Sequence, residues 1–215
     1  MKHPAWDVLT AFEAGFWSQG LVVAGTDEVG RGPLAGPVVA AAVVLPPDAR
    51  LEGLDDSKRL SPHERDRLFA AIWARAEAIG VGAVGPRTID RLNILEASRL
   101  AMMRALRQLG VRPQVVLTDA MSLPGSPFYA VPLVKGDQRS ASIAAASVVA
   151  KVLRDRYMVE LHRQFPQYGF DRHKGYPTEG HRASLAAWGP SPAHRQSFLS
   201  RFYDVSRAAA SRARR

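Results

Sequence analysis

The feature that most constrains this chain is an apolar segment that ends in two adjacent acids and a glycine turn. Residues 21–24 are apolar and predict a buried strand, and Asp27 and Glu28 follow just before a Gly-Arg-Gly turn at residues 30–32. Because successive strand side chains point to opposite faces, the two acids do not both point into one core. Carboxylates bind hard cations such as Mg²⁺, and glycines let a ligand approach the backbone closely. The pattern fits a metal site, and it equally fits a tight turn with two solvated acids.

The same arrangement recurs further along the chain. The apolar residues 115–117 lead to Asp119, and the segment 129–134 leads to Asp137 just ahead of a long helical pattern. Four carboxylates at the ends of separate elements are able to converge on one or two divalent cations. Cations held in this way catalyse the cleavage of phosphodiesters. We therefore expect a metal-assisted reaction on a nucleic acid.

The net charge supports a nucleic-acid partner. The 215 residues include 29 Lys and Arg against 20 Asp and Glu, which gives a formal net charge of +9. Such a basic balance favours nucleic acid or another anionic surface as the partner. Part of the charge lies in residues 195–215, where six arginines accompany one aspartate. The sequence leaves open whether this stretch is a solvated basic helix or a frayed end.

Composition excludes several classes of protein. The chain has no cysteine, which rules out disulfides, thiolate catalysis and cysteine-based zinc sites. No apolar run approaches the roughly 18 residues of a membrane span, and the N-terminus shows no signal-peptide pattern. With 47% hydrophobic and 23% charged residues, the chain fits one sizeable core with a small appendage. We expect a cytoplasmic protein without a membrane partner.

Local signals predict the order of the elements. Ser61 and Glu64 are spaced as a capping box, with a proline directly after Ser61, and predict the start of one helix. A second helix is predicted from Thr88 to near Gly110, and a third over residues 140–165 begins with small side chains that allow close packing on a sheet. Strands are predicted at residues 21–26, 38–45, 79–84, 114–117 and 128–134. This order predicts a mixed sheet flanked by helices.

Beyond residue 166 the character of the sequence changes. Residues 168–178 mix aromatic and basic side chains, among them Lys174 and Tyr176, without a helical or strand period. Aromatic rings stack on bases or sugars while cations hold phosphates. The segment is therefore either a nucleic-acid contact or an irregular packed linker.

Taken in order, these motifs resemble the ribonuclease HII family over nearly the whole chain. Each motif alone is weak, but seven in the family's order are specific. They are residues 27–32, 56–58, 93–95, 118–119, 135–137, 142–151 and 173–177. The resemblance implies an α/β ribonuclease H-like fold, a mixed five-stranded sheet flanked by helices with a helical C-terminal extension. It assigns residues 1–165 to the catalytic domain and residues 166–215 to a substrate-binding extension.

The resemblance also implies roles for individual residues. The catalytic carboxylates, which would hold two divalent ions, Mn²⁺ or Mg²⁺, are Asp27, Glu28, Asp119 and Asp137. The residues implied to bind substrate are Gly30, Arg31, Gly32, Lys58, Asn93, Lys174 and Tyr176. The glycine-arginine-glycine loop would sense 2′-hydroxyl groups largely through its backbone. Lys58 would contact a phosphate, and Tyr176 would stack on the sugar at an RNA–DNA junction.

The implied activity is that of an endonuclease. It would hydrolyse the RNA strand of RNA–DNA hybrids and cut 5′ of ribonucleotides embedded in duplex DNA, leaving 3′-hydroxyl and 5′-phosphate ends by a two-metal mechanism. This activity would serve to remove misincorporated ribonucleotides from DNA. We expect a monomer that needs no protein partner and whose substrates are the hybrid and the ribonucleotide-containing duplex.

Two alternatives stay open. The related ribonuclease HIII carries an additional N-terminal domain, whereas only about 20 residues precede the first predicted strand here, which favours ribonuclease HII. A non-catalytic, basic nucleic-acid-binding protein with solvated acids would share the charge but would not cleave a ribonucleotide-containing duplex when Mg²⁺ is added.

Overall fold

The structure is a computed structural model that describes residues 3–200 of the chain. Its strands are β1 (Val23–Val29), β2 (Val38–Val44), β3 (Ala78–Val84), β4 (Val115–Asp119) and β5 (Tyr129–Leu133). Its helices are α1 (Trp6–Leu9), α2 (Ala11–Trp17), α3 (Pro62–Arg75), α4 (Pro86–Leu92), α5 (Ile94–Arg107), α6 (Ala141–Gln164), α7 (Phe170–His173), α8 (Glu179–Trp188) and α9 (Gln196–Leu199). Short 3₁₀ turns cover Gly136–Gln138 and Pro166–Tyr168. The arginines at positions 201–215 lie outside the described residues.

The strands form one mixed sheet in the order β3-β2-β1-β4-β5. Strand β1 is antiparallel to β2 and parallel to β4, and β4 is parallel to β5. The pairing of Thr26 with Thr118 sets the register between β1 and β4. Because parallel strands end at the same edge of a sheet, the C-terminal ends of β1 and β4 lie side by side. The predicted five-stranded mixed sheet of an α/β fold is confirmed.

The chain folds into two compact units, each built from three segments. The first, called the sheet unit below, contains Val39–Ala83, Ser98–Leu153 and the chain up to Val29. The second, called the helical unit, contains Gly30–Val38, Val84–Ala97 and the described residues from Arg154 onward. The two units alternate along the sequence, and the predicted division into domains at residue 165 stays a prediction.

In the sheet unit, helix α6 packs closely on β1, as its small residues predicted. A Cβ atom built on Gly25 would lie 2.1 Å from the carbonyl carbon of Ser142, so only glycine fits at this point of the strand. The buried carboxylate of Glu13 accepts the hydroxyl of Ser140 at 2.6 Å and the N–H of Ser142 at 2.9 Å. The start of α6 is thereby tied to α2, and with it the preceding turn that carries Asp137.

Two helix boundaries show how local signals act. The Ser61 hydroxyl accepts the N–H of Glu64, and the Glu64 carboxylate accepts the N–H of Ser61, so the predicted capping box starts α3. The single helix predicted from Thr88 to near Gly110 is wrong. Asn93, with a φ of 73°, lies in the left-handed region and separates α4 from α5.

The helical unit has an apolar core of its own. Its buried side chains include Leu34, Met158, Phe170, Leu185 and Leu199. Because these come from the loop after β1 and from α6 to α9, the predicted helical C-terminal extension is confirmed for the described residues. Among residues 3–200, no helix combines the length and the apolar composition that crossing a bilayer requires.

Candidate active site

Asp27 and Asp119 are brought together by the register of β1 and β4 in the sheet unit. Each follows the paired residues Thr26 and Thr118 by one position, on neighbouring parallel strands. Residues in register on adjacent strands share a face of the sheet, so the two carboxylates project from the same face at the same edge. Asp27 is 5% exposed, and its Oδ1 accepts the N–H of Glu28 at 2.7 Å.

Asp137 and Lys58 form an ion pair beside a second acid, Asp56, whose role the sequence did not indicate. Lys58 Nζ lies 3.2 Å from Asp137 Oδ2 and 3.8 Å from Oδ1 of Asp56. Asp56 is buried, and its Oδ1 also accepts the N–H of Lys58 at 3.0 Å. Burial acts to lower the pKa of Lys58, but the two carboxylates outweigh it and raise that pKa. The motif at residues 56–58 was the signal that could have assigned Asp56 to this cluster.

The carboxylates of the cluster repel one another. Burial raises the pKa of Asp27 well above its ordinary value, and the charges of Glu28 and Asp119 raise it further. The pKa of Asp137 is also raised, first by burial and then by the charges of Asp119 and Asp56. Like charges held together out of water disfavour ionisation, and a bound cation would relieve this repulsion.

The chemistry of these donors fits a hard divalent cation. Carboxylate oxygens are the ligands that Mg²⁺ and Mn²⁺ prefer, and all four predicted ligands are carboxylates of the sheet unit: Asp27, Glu28, Asp119 and Asp137. Within residues 3–200, no three His, Asp or Glu side chains stand together as a ready-made metal-ligand group. The fit therefore rests on oxygen chemistry, burial and mutual repulsion, and the carboxylates would have to converge as the ion binds.

In the helical unit, the predicted substrate loop and Tyr176 are neighbours. A Cβ atom built on Gly32 would lie 3.7 Å from Cε1 of Tyr176. Gly30 has a φ of 93°, and a Cβ atom on it would lie 2.1 Å from Nε of Arg154, so this position requires glycine. Arg31 and Gly32 are exposed, and Tyr176 is 43% exposed. The loop and the ring therefore present one accessible surface within this unit.

Lys174 and Asn93 are held by local contacts. Lys174 has a φ of 51°, and its Nζ donates to the carbonyl oxygen of Asp171. Asn93 Oδ1 accepts the N–H groups of Leu95 at 2.9 Å and Glu96 at 3.1 Å, so it caps α5. Contact of either residue with a substrate stays a prediction.

Two buried histidines, His181 and His194, support the backbone of Tyr176. The Tyr176 carbonyl can only accept, so Nδ1 of His181 donates to it at 2.9 Å. Nε2 of His181 is then an acceptor, and Nε2 of His194 donates to it at 3.0 Å. Nδ1 of His194 accepts the N–H of Ser191 at 3.0 Å. Both rings are therefore neutral, because a further proton would place donor against donor. Sequence spacing gave no sign of this chain of bonds.

Acid should weaken the helical unit through these histidines. Burial, with a further contribution from His173, lowers the pKa of His181 to about 4, and burial together with His181 lowers the pKa of His194 to about 4. An unfolded histidine binds its proton near pH 6.5. Between these pKa values the unfolded state therefore binds protons that the folded state does not bind. We expect the free energy of unfolding to fall between about pH 6.5 and 4, by up to about 1.4 kcal/mol per pH unit for each proton.

Urea unfolding at about pH 7 and pH 5 measures this dependence. The raised pKa values of Asp27 and Asp137 shift the slope in the opposite direction, so the wild type is compared with His181→Gln. The variant should be less stable at pH 7 and should lose part of the decline toward pH 5. His63→Gln, at an exposed position of α3, should retain the wild-type decline. Equal declines in the wild type and His181→Gln would contradict the assignment.

Comparison with known proteins identifies the family. The sequence profile described as ribonuclease HII matches residues 24–201. The ribonuclease HII of Geobacillus kaustophilus is 55% identical over 194 residues, which cover 90% of this chain and 74% of that protein. The crystal structure of ribonuclease H2 from Pyrococcus horikoshii OT3 has a TM-score of 0.72 at 26% identity, covering 91% of this chain and all of the other.

A structure of Bst-RNase HIII in complex with Mn²⁺ shares the fold. Its TM-score is 0.68 at 21% identity, and the match covers 91% of this chain and 71% of that one. The matching profile and the curated relatives are nevertheless those of ribonuclease HII, so neither alternative left open by the sequence is supported. The chain belongs to the ribonuclease HII family of metal-dependent endoribonucleases.

Proposed function

We propose that this protein cuts duplex DNA on the 5′ side of embedded ribonucleotides and hydrolyses the RNA strand of RNA–DNA hybrids, leaving 3′-hydroxyl and 5′-phosphate ends. The observation that carries the proposal is that Asp27 and Asp119 each follow the paired residues Thr26 and Thr118 by one position on neighbouring parallel strands, with the pKa of Asp27 raised. Such repulsion costs folding stability, and a metal site gives a reason for it. The protein would remove misincorporated ribonucleotides from DNA in the cytoplasm, as a monomer without an obligate protein partner.

The acids of the sheet unit would hold two divalent ions, Mg²⁺ or Mn²⁺. The ligands would be Asp27, Glu28, Asp119 and Asp137. When bound, such ions polarise a phosphodiester and lower the pKa of a water molecule. Lys58 would offset the charge of a substrate phosphate. Its side chain is 72% exposed and so accessible to a substrate, and Asp137, 3.2 Å from the ammonium group, keeps that group beside the acids.

Recognition of the ribose would rest on the helical unit. The 2′-hydroxyl is the group that distinguishes RNA from DNA at a single site. The backbone N–H groups of the exposed residues Arg31 and Gly32 would bind it, with Gly30 turning the chain through its positive φ. Tyr176, adjacent to Gly32, would stack on the sugar. The remaining predicted contacts with the substrate are those of Lys174 and Asn93.

A duplex with one ribonucleotide in an otherwise DNA strand tests the proposal. With Mg²⁺ or Mn²⁺ we expect a single cut on the 5′ side of the ribonucleotide, and none in EDTA or in an all-DNA duplex of the same sequence. Binding without cleavage in either metal would overturn the proposal in favour of a non-catalytic protein. Cleavage that persists in EDTA would overturn the metal assignment.

A further inference from the structure

We propose that Arg195 is a positioning residue for ribonucleotide selectivity, whose buried guanidinium aims the backbone N–H groups of Arg31 and Gly32. The inference rests on the proposed role of residues 30–32 in ribose recognition. Because Arg195 is fully buried, it would act through the loop and not by contact with the substrate.

Arg195 binds three carbonyl groups of the segment that follows β1. Its Nη2 donates to Gly30 O at 2.6 Å, its Nη1 to Arg31 O at 2.9 Å and its Nε to Gly36 O at 3.0 Å. Arg195 is fully buried. A planar guanidinium is the side chain that offers several donors in one fixed fork. The segment is therefore held at both ends by a single rigid group.

These bonds fix the direction of two backbone donors. In a trans peptide the C=O and the following N–H point in opposite directions. Because Gly30 O and Arg31 O point at the guanidinium, the N–H groups of Arg31 and Gly32 point away from it. Arg31 and Gly32 are exposed. A backbone N–H recognises an acceptor, and the 2′-hydroxyl oxygen is an acceptor that deoxyribose lacks.

A second buried arginine extends the same support. Arg154 Nε donates to Pro37 O at 3.0 Å, and its Nη2 donates to Ala35 O at 3.2 Å and to Lys174 O at 3.1 Å. Lys174 lies two positions before Tyr176, and Leu34 N donates to Gly175 O at 2.8 Å. The loop and the segment that carries Tyr176 are therefore joined through Arg154 as well as directly.

The burial of two cations favours a positioning role. Removing a guanidinium from water is costly, and burial, with the nearby charge of Arg154, lowers the pKa of Arg195 to about 9. The group is still charged at neutral pH. An apolar side chain of similar volume would avoid this cost but would leave the carbonyls of Gly30, Arg31 and Gly36 without this donor, two of them in buried bonds.

Arg195→Lys tests the proposal because it keeps the charge and loses the fork. Steady-state cleavage of a single-ribonucleotide duplex gives KM and kcat, and an all-DNA duplex as competitor gives Ki. We expect KM to rise about 5- to 10-fold, the loss of one or two net hydrogen bonds, with kcat within about twofold and Ki unchanged. Arg163→Lys, exposed on α6 and paired with Glu160, should leave all three values unchanged.

A role confined to folding predicts a different result. Arg195→Lys would then lower the melting temperature and the active fraction while the ratio of Ki to KM stayed at the wild-type value, and this outcome would overturn the inference. If Arg195→Lys fails to fold, Arg195→Gln, which keeps amide donors without the charge, takes its place and should show a rise in KM with Ki unchanged. If the wild type has equal Ki and KM, the proposed ribose recognition fails, and the inference with it.

Discussion

Replacing Asp27 by asparagine is expected to lower the rate of RNA cleavage about 10³-fold or more, since a bound metal contributes several kcal/mol and each 1.4 kcal/mol or so is a factor of ten. Asparagine has nearly the same volume but lacks the charge that binds a cation. Asp119→Asn should behave alike, because Asp119 occupies the matching position on the neighbouring strand. Rates on the single-ribonucleotide duplex at saturating Mg²⁺ measure the effect.

The same variants should keep or gain stability without metal. Burial, Glu28 and Asp119 raise the pKa of Asp27, so its ionised carboxylate costs stability at neutral pH, and asparagine removes that cost. In EDTA the variant should therefore melt at or above the wild-type temperature. Added Mn²⁺ should raise the melting temperature of the wild type and not that of the variant.

Asp48→Asn is the matched control for both measurements. Asp48 is an exposed acid of the sheet unit, and its replacement should alter neither the rate nor the response of the melting temperature to Mn²⁺. Cleavage near the wild-type rate by Asp27→Asn or Asp119→Asn would contradict the assignment of these acids as metal ligands.

Tyr176→Ala should impair cleavage at a single ribonucleotide more than cleavage within an all-RNA strand. An aromatic ring stacked on a nucleotide contributes about 1–3 kcal/mol, so a loss of about 5- to 150-fold at the junction is the upper range. Tyr176 is 43% exposed, and its backbone is held by His181. Truncation of the ring should therefore change the melting temperature little.

Tyr157→Ala separates stacking from a general loss of aromatic surface. Tyr157 is 48% exposed in the helical unit, and its removal should leave the ratio of the two cleavage rates unchanged. If Tyr176→Ala lowers the melting temperature and leaves that ratio at the wild-type value, Tyr176 is a packed linker residue and not a stacking platform.

The positions of Asp27 and Asp119 after strand signals could be read from the sequence because those signals are local. An apolar run precedes each acid, and the structure pairs the two strands in parallel. Binding of a metal by these acids stays a prediction. The capping box at Ser61 and the small residues at the start of α6 are local too, and both were confirmed.

What the sequence did not reveal depends on contacts between distant segments. Arg195 and Gly30 are 165 positions apart, and neither residue type nor spacing indicates that one binds the other. His181 lies in the first turn of α8 and His194 in the segment after α8, so the two form a hydrogen bond only once that segment has folded back along the helix. Asn93 interrupts the predicted helix because its side chain caps α5 and its backbone adopts a positive φ. Neither property can be read from helical periodicity.

Cleavage of the single-ribonucleotide duplex in H₂¹⁸O tests the central claim most directly. If the acids of the sheet unit direct a metal-activated water to the phosphodiester, the oxygen of water bonds to phosphorus and the bond to the 3′-oxygen breaks. Mass spectrometry should then find one ¹⁸O in the 5′-phosphate of the fragment that begins with the ribonucleotide, and a 3′-hydroxyl on the other fragment. A 2′,3′-cyclic phosphate at the ribonucleotide, with no ¹⁸O incorporated during cleavage, would show that the ribose hydroxyl is the nucleophile and would contradict the account.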